Sequence, residues 1–133
     1  MFRAFFSKKT LPLTGVPAVR RLKTYSAQSG YVYQYYFEGQ RPFQQPGDEG
    51  TEFVFTISAD RKAWHSTSVL VSAAALRAWE DKNARQLSSA ERYAICKIAL
   101  FQAFDERTSP EQMKAEVRVR AADVDGIIES LDL

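Results

Sequence analysis

The chain predicts an α+β fold, an antiparallel sheet of about four strands in the order β-β-β-α-α-β-α with helices packed on one face. Three observations lead there. The first half is rich in Tyr, Val and Phe in extended, alternating patterns. The second half turns to helical periodicity with recognisable caps, and one short alternating run returns near the end. At 133 residues, 45% apolar and 26% charged, the chain suits a single globular domain that buries roughly two-thirds of its unfolded surface.

Thr24 to Glu38, which contains the stretch SGYVYQYYFEG, reads as one strand closed by Gly39. The following GQRPFQQPGDEG, with two prolines and three glycines, reads as a loop. Thr51 to Ser58 sets Phe53, Phe55 and Ile57 on one face against Val54, Thr56 and Ser58 on the other, the pattern of a half-buried strand. ADRK makes a turn, and Ala63 to Val71 returns as the hairpin partner.

Ser72 is placed to cap a helix from Ala73 to about Arg85, with Leu76 and Trp79 facing inward. Ser88 and Glu91 have the spacing of a capping box, so a second helix begins there. Its apolar residues, from Tyr93 through Ile95 and Leu100 to Phe104, cover more than one stripe and mark it as the most buried helix. Ala115 to Arg120 alternates valine with charge, as on an edge strand. Asp123 is placed to cap a short last helix carrying Ile127, Ile128 and Leu131, weakened by Gly126.

Charge divides the chain. Residues 1–37 carry Arg3, Lys8, Lys9, Arg20, Arg21 and Lys23 with no acid, although the whole chain is only +2. Residues 1–21 are therefore expected to be a basic N-terminal arm or leader before a single domain at 22–133, with residues 10–18 a proline- and glycine-bearing connector. Such an arm calls for an anionic partner. Phe2, Phe5 and Phe6 at helical spacing among these cations resemble an organellar transit peptide, with LKTYSA as a processing point. The lone Cys96 excludes an intrachain disulfide, and the most apolar run, Ala94 to Phe104, is too short to span a bilayer. The expected compartment is cytoplasmic, or a mitochondrion or other organelle if residues 1–25 are such a leader.

On a strand Tyr31, Tyr33, Tyr35 and Phe37 share one face, while Val32, Gln34, Tyr36 and Glu38 share the other. An aromatic face of this kind packs into a core or a dimer, or stacks nucleic-acid bases. Gly30, Tyr31, Tyr33 and Tyr36 are similar to the glycine and aromatic positions of the RNA-recognition signature. Ser29, Val32 and Gln34 depart from it, and too little chain precedes the motif for a β-α-β-β-α-β unit, so that family is not assigned.

No constellation for catalysis is visible. His65 is the only histidine, and Ser66 and Ser68 beside it are badly spaced for an acid–base relay on a strand. One histidine and one cysteine do not make a structural zinc site. Asp48, Glu49 and Glu52 lack calcium-loop spacing, and no glycine-rich phosphate loop is present. Cys96, in an apolar helix, reads as an inert core thiol.

The expected function is thus a non-enzymatic protein-interaction domain, self-associating through the aromatic strand or through the edge strand around Val117, with the arm as a second contact. The alternative is a single-stranded nucleic-acid-binding module using Tyr31, Tyr33 and Tyr35 with the basic arm. No cofactor, metal or small-molecule substrate is indicated.

Overall fold

The structure is a computed structural model and describes residues 11–133. Arg3, Lys8 and Lys9, and the aromatic pattern at Phe2, Phe5 and Phe6, lie outside the described residues. A curled five-stranded sheet in sequence order is formed by β1 (Lys23–Ser26), β2 (Val32–Gln45), β3 (Asp48–Ser58), β4 (His65–Ser72) and β5 (Val117–Val119). The helices are α1 (Ala73–Asn83), α2 (Ser89–Glu106) and α3 (Ala121–Ser130), with a short 3-10 turn at Pro110–Lys114.

The α+β class and the helices on one face agree with the sequence, while the sheet differs in three ways. It has five strands and is mixed: β1 to β4 are antiparallel, but β5 lies parallel to β4. A parallel neighbour needs a long crossover, here supplied by α1, α2 and the 3-10 turn. Secondly, the expected Thr24–Glu38 strand is folded in two. Gly30, at φ +100°, lets the chain turn between β1 and β2, with the Ala27 amide donating to the Tyr31 carbonyl at 2.8 Å.

Thirdly, the expected loop at 39–50 is a hairpin. Gln45 pairs with Asp48 across Pro46 and Gly47, and Gly47 takes the positive φ of +79° that follows proline in a type II turn. β2 stays in register by spending Glu38 as a bulge between Phe37 and Gly39. Pro42 is tolerated because the backbone of Gln40, two residues earlier, bonds outward to Thr14 and not to β3. By alternation the missing amide of Pro42 also faces the open side.

Two of the three expected caps are found, those of α1 and α2. The Ser72 hydroxyl accepts the Ala75 amide at 3.2 Å. At α2, Ser88 Oγ accepts the Glu91 amide at 3.1 Å while the Ser88 amide donates to Glu91 at 2.9 Å. Asp123 is not the cap itself: it lies in the first turn of α3 and its carboxylate accepts the Arg120 amide at 2.8 Å.

The inner face of the sheet and the three helices enclose one core. Phe104 sits at its aromatic centre, stacked on Tyr33 at a centroid distance of 4.2 Å and flanked by Tyr25, Tyr35 and Phe101. Cys96 is fully buried, and burial pushes its thiol well above the ordinary range, consistent with an inert side chain. The outer face is a polar lattice over buried Val54 and Leu70. There Glu52 accepts from Arg41 at 2.9 Å and from Ser68 at 2.5 Å. Burial alone would raise the Glu52 carboxyl, but these bonds and the Arg41 charge outweigh it and hold the group below the usual carboxylate range.

Candidate functional site: a basic groove beside the aromatic strand

The structure keeps Tyr33, Tyr35 and Phe37 on one face of β2 and turns that face into the core. Tyr33 and Tyr35 are core residues, 0% and 4% exposed, and Phe37 packs partly buried against the same core. Only Tyr31 reaches solvent substantially, at 38% exposure beside the β1–β2 turn. Tyr36, from the opposite face, is held between the Arg20 guanidinium at 5.2 Å and Trp64 at 6.1 Å.

The described part of the basic arm lies along the free edge of β2. Thr14 and Gln40 exchange backbone bonds of 2.8 and 2.9 Å, and Arg20 forms an ion pair with Glu38 at 3.0 Å. Gly39 permits this approach: a Cβ there would sit 2.9 Å from the Thr14 carbonyl oxygen and 3.0 Å from Leu13 Cβ, and its φ of +145° is one that side chains rarely adopt. Between Tyr35 and Gln40, no strand among the described residues pairs with this side of β2.

A groove of about 390 Å³ opens in that gap. One wall is the arm at Pro17, Val19 and Arg21, and the floor includes Tyr35, Phe37 and Tyr93. Lys23 on β1 and Lys97 on α2 complete it. Lys23 pairs with Tyr35 in the β1–β2 register and so shares its face. Tyr93, Lys97, Phe101 and Asp105 are spaced four apart on α2 and form one row toward β1. Tyr25 fixes the far end of that row, stacking on Phe101 at 4.4 Å and donating its hydroxyl to Asp105 at 2.8 Å.

The Lys97 ammonium lies over three rings, Tyr93 at 5.3 Å, Phe101 at 5.5 Å and Tyr35 at 5.6 Å. Desolvation, reinforced by the Lys23 charge, draws the Lys97 ammonium below its ordinary range. Among the described residues none of Arg21, Lys23 and Lys97 forms an ion pair. The site therefore gathers Arg21 and Lys23, which the sequence singles out, with Lys97 and Tyr93, which it does not. The signal for the latter pair is the four-residue spacing along α2; within an apolar run, Lys97 reads only as an interruption.

The tyrosines around this groove yield a pH prediction. Tyr25 is pushed up to about 12 by desolvation and then by its bond to Asp105, and Tyr93 to about 12 by burial. Tyr33 and Tyr35 are also raised, chiefly by burial. From the ordinary phenol value of 10.0 up to about 12, the unfolded chain releases protons that the folded chain keeps, so stability falls as pH rises across that window. Phenolate absorbance is expected to rise in separated stages, with Tyr25→Phe removing part of the late one. A single stage near the ordinary phenol value would contradict the buried placement.

Comparison with protein families, curated proteins and solved structures finds no match to this chain. Among the described residues, no helix is long and apolar enough to cross a membrane, and no group of three or more His, Cys, Asp or Glu side chains is placed to hold a metal ion.

Proposed function

We propose that this protein is a non-enzymatic protein-interaction domain that docks an acidic segment of a partner protein in the groove between the arm, β2 and α2. The observation that carries the reading is the convergence of Arg21, Lys23 and Lys97, without carboxylate partners among the described residues, around a partly apolar cleft. Charges gathered over low-dielectric walls focus their field and attract an opposite charge more strongly than scattered surface lysines do. The side of β2 that lacks a strand partner borders the same cleft and favours an extended peptide as occupant.

Self-association through the aromatic face has less support, because Tyr33 and Tyr35 are occupied by the core. The sheet edges are also short, four residues in β1 and three in β5, which suits protected edges better than pairing ones. A nucleic-acid platform would need successive free ring faces. Here Tyr36 is engaged by Arg20 and Trp64, and the Lys97 ammonium lies over Tyr35 and Tyr93.

Fluorescence anisotropy with a labelled oligoglutamate peptide tests the reading against labelled oligothymidylate. Saturable binding of the acidic peptide is expected, weakening several-fold from about 50 to about 200 mM salt as screening grows. The variant carrying R21E, K23E and K97E should lose it. Absence of peptide binding, or equal binding by the variant, overturns the proposal, and tighter binding of oligothymidylate replaces it with the nucleic-acid reading.

A further inference from the structure

We propose that Lys23 and Lys97 together form a seat for a phosphate monoester dianion, so that the acidic segment docked in the groove carries a phosphorylated side chain. This rests on the reading of the groove as a docking site and names the chemistry of its occupant.

Lys97 on α2 lies over the ring of Tyr35 at 5.6 Å, Lys23 on β1 is the cross-strand neighbour of the same tyrosine, and both lysines line the same cleft. Their mutual repulsion is felt at Lys97, where it adds to desolvation in disfavouring the charged form. The groups facing Lys97 are Lys23 from β1, Arg21 from the arm, Tyr35 from β2, and Tyr93 and Cys96 from its own helix; none is a carboxylate. Asp105, the acid on the same helical row, is committed to the Tyr25 hydroxyl at 2.8 Å and the Gln28 amide at 2.9 Å.

A carboxylate brings one negative charge, whereas a phosphate monoester brings about −1.5 to −2 at pH 7 with three acceptor oxygens. The larger charge relieves both ammonium groups at once, and charge-assisted bonds to phosphate are among the stronger polar contacts. Arg21 on the wall adds a planar donor for a flanking acid or for the same phosphate. A phosphodiester carries a single charge and lacks this advantage, so the seat discriminates a phosphorylated side chain from a nucleic-acid backbone.

The test compares three peptides of one acidic sequence with a central serine, glutamate or phosphoserine, titrated calorimetrically into the full chain, with oligothymidylate as the diester control. At pH 7.5 the phosphoserine peptide is expected to bind about tenfold tighter than the glutamate peptide, a gain that shrinks at pH 5 as the phosphate takes up its second proton, whose pKa is about 6. Lys97→Gln and, separately, Lys23→Gln should each weaken the glutamate peptide modestly, since each removes one of the groove's cations, and weaken the phosphoserine peptide much more, so that most of the affinity ratio between the two is lost. Equal affinity for the glutamate and phosphoserine peptides overturns the dianion seat and leaves the acidic-segment reading standing, whereas no binding of any peptide overturns both. A phosphoserine gain that survives both lysine variants, or tighter binding of oligothymidylate than of the phosphopeptide, also overturns it.

Discussion

Phe104→Ala is expected to lower the unfolding free energy by about 3 to 5 kcal/mol, against a total of about 5 to 15 kcal/mol for a domain of this kind. The side chain is fully buried and stacks on Tyr33 at 4.2 Å, with Tyr25, Tyr35 and Phe101 around it. Truncation removes the apolar area of the ring and leaves a void that these neighbours cannot fill, because each is fixed elsewhere. Tyr25 is held by Asp105, Tyr33 and Tyr35 by the β2 ladder, and Phe101 by its stack on Tyr25. The Tyr33 hydroxyl is buried without a hydrogen-bond partner among the described residues, so the ring stack and not a polar tether orients that side chain. Urea denaturation measures the effect, and Phe101→Ala, at a half-buried position, should cost distinctly less. A loss under about 1 kcal/mol at Phe104 would mean that the aromatic centre is packed otherwise.

Gly50→Ala is expected to cost about 3 kcal/mol, at the upper end for overpacking. Gly50 lies opposite Ser72, where β4 ends and α1 begins. A Cβ at this position would fall inside van der Waals contact of the Val71 carbonyl oxygen, 2.8 Å from the Ala73 nitrogen and 3.0 Å from Phe43. Two of these three atoms are backbone, so relief requires β3 and β4 to part, which disturbs the Ser72 cap as well as the ladder. Gly126→Ala in α3 is the matched control. Beyond its chain neighbours and the backbone of its own helix, no atom lies within 4 Å of its Cβ position, and replacing a helical glycine there should stabilise by about 0.5 to 1 kcal/mol. The two thermal shifts should therefore have opposite signs, and a neutral Gly50→Ala would contradict the close packing of β3 against the β4–α1 junction.

Local signals were legible where the interaction that they describe is local. Ser72, Ser88 and Glu91 satisfy amides within three residues, so their spacing alone places two helix starts. The alternation of Phe53, Phe55 and Ile57 likewise names a buried face without any partner being known. The hairpin at 39–50 was hidden because Pro42 and the glycines read as breakers. Whether proline is tolerated depends on which way a missing amide faces, and that is set by the register of β2 against β3 after the bulge, visible in Gln40 bonding outward to Thr14.

The groove divides in the same way. Composition shows that the N-terminal segment is basic, and Arg21 and Lys23 can be chosen from that alone. Lys97 cannot, because its importance comes from lying over Tyr35 and Tyr93 and facing Lys23 across the edge of the sheet. By itself, then, the sequence determined the class of fold, the caps of α1 and α2, the inner face of β3 and the basic character of one end. Only the tertiary structure decided the direction of β5, the burial of Tyr33 and Tyr35, and the meeting of three cations in one cleft. The reason is range: caps and periodicity act within a turn or a strand, whereas strand order and charge convergence are set by packing between segments far apart in the chain.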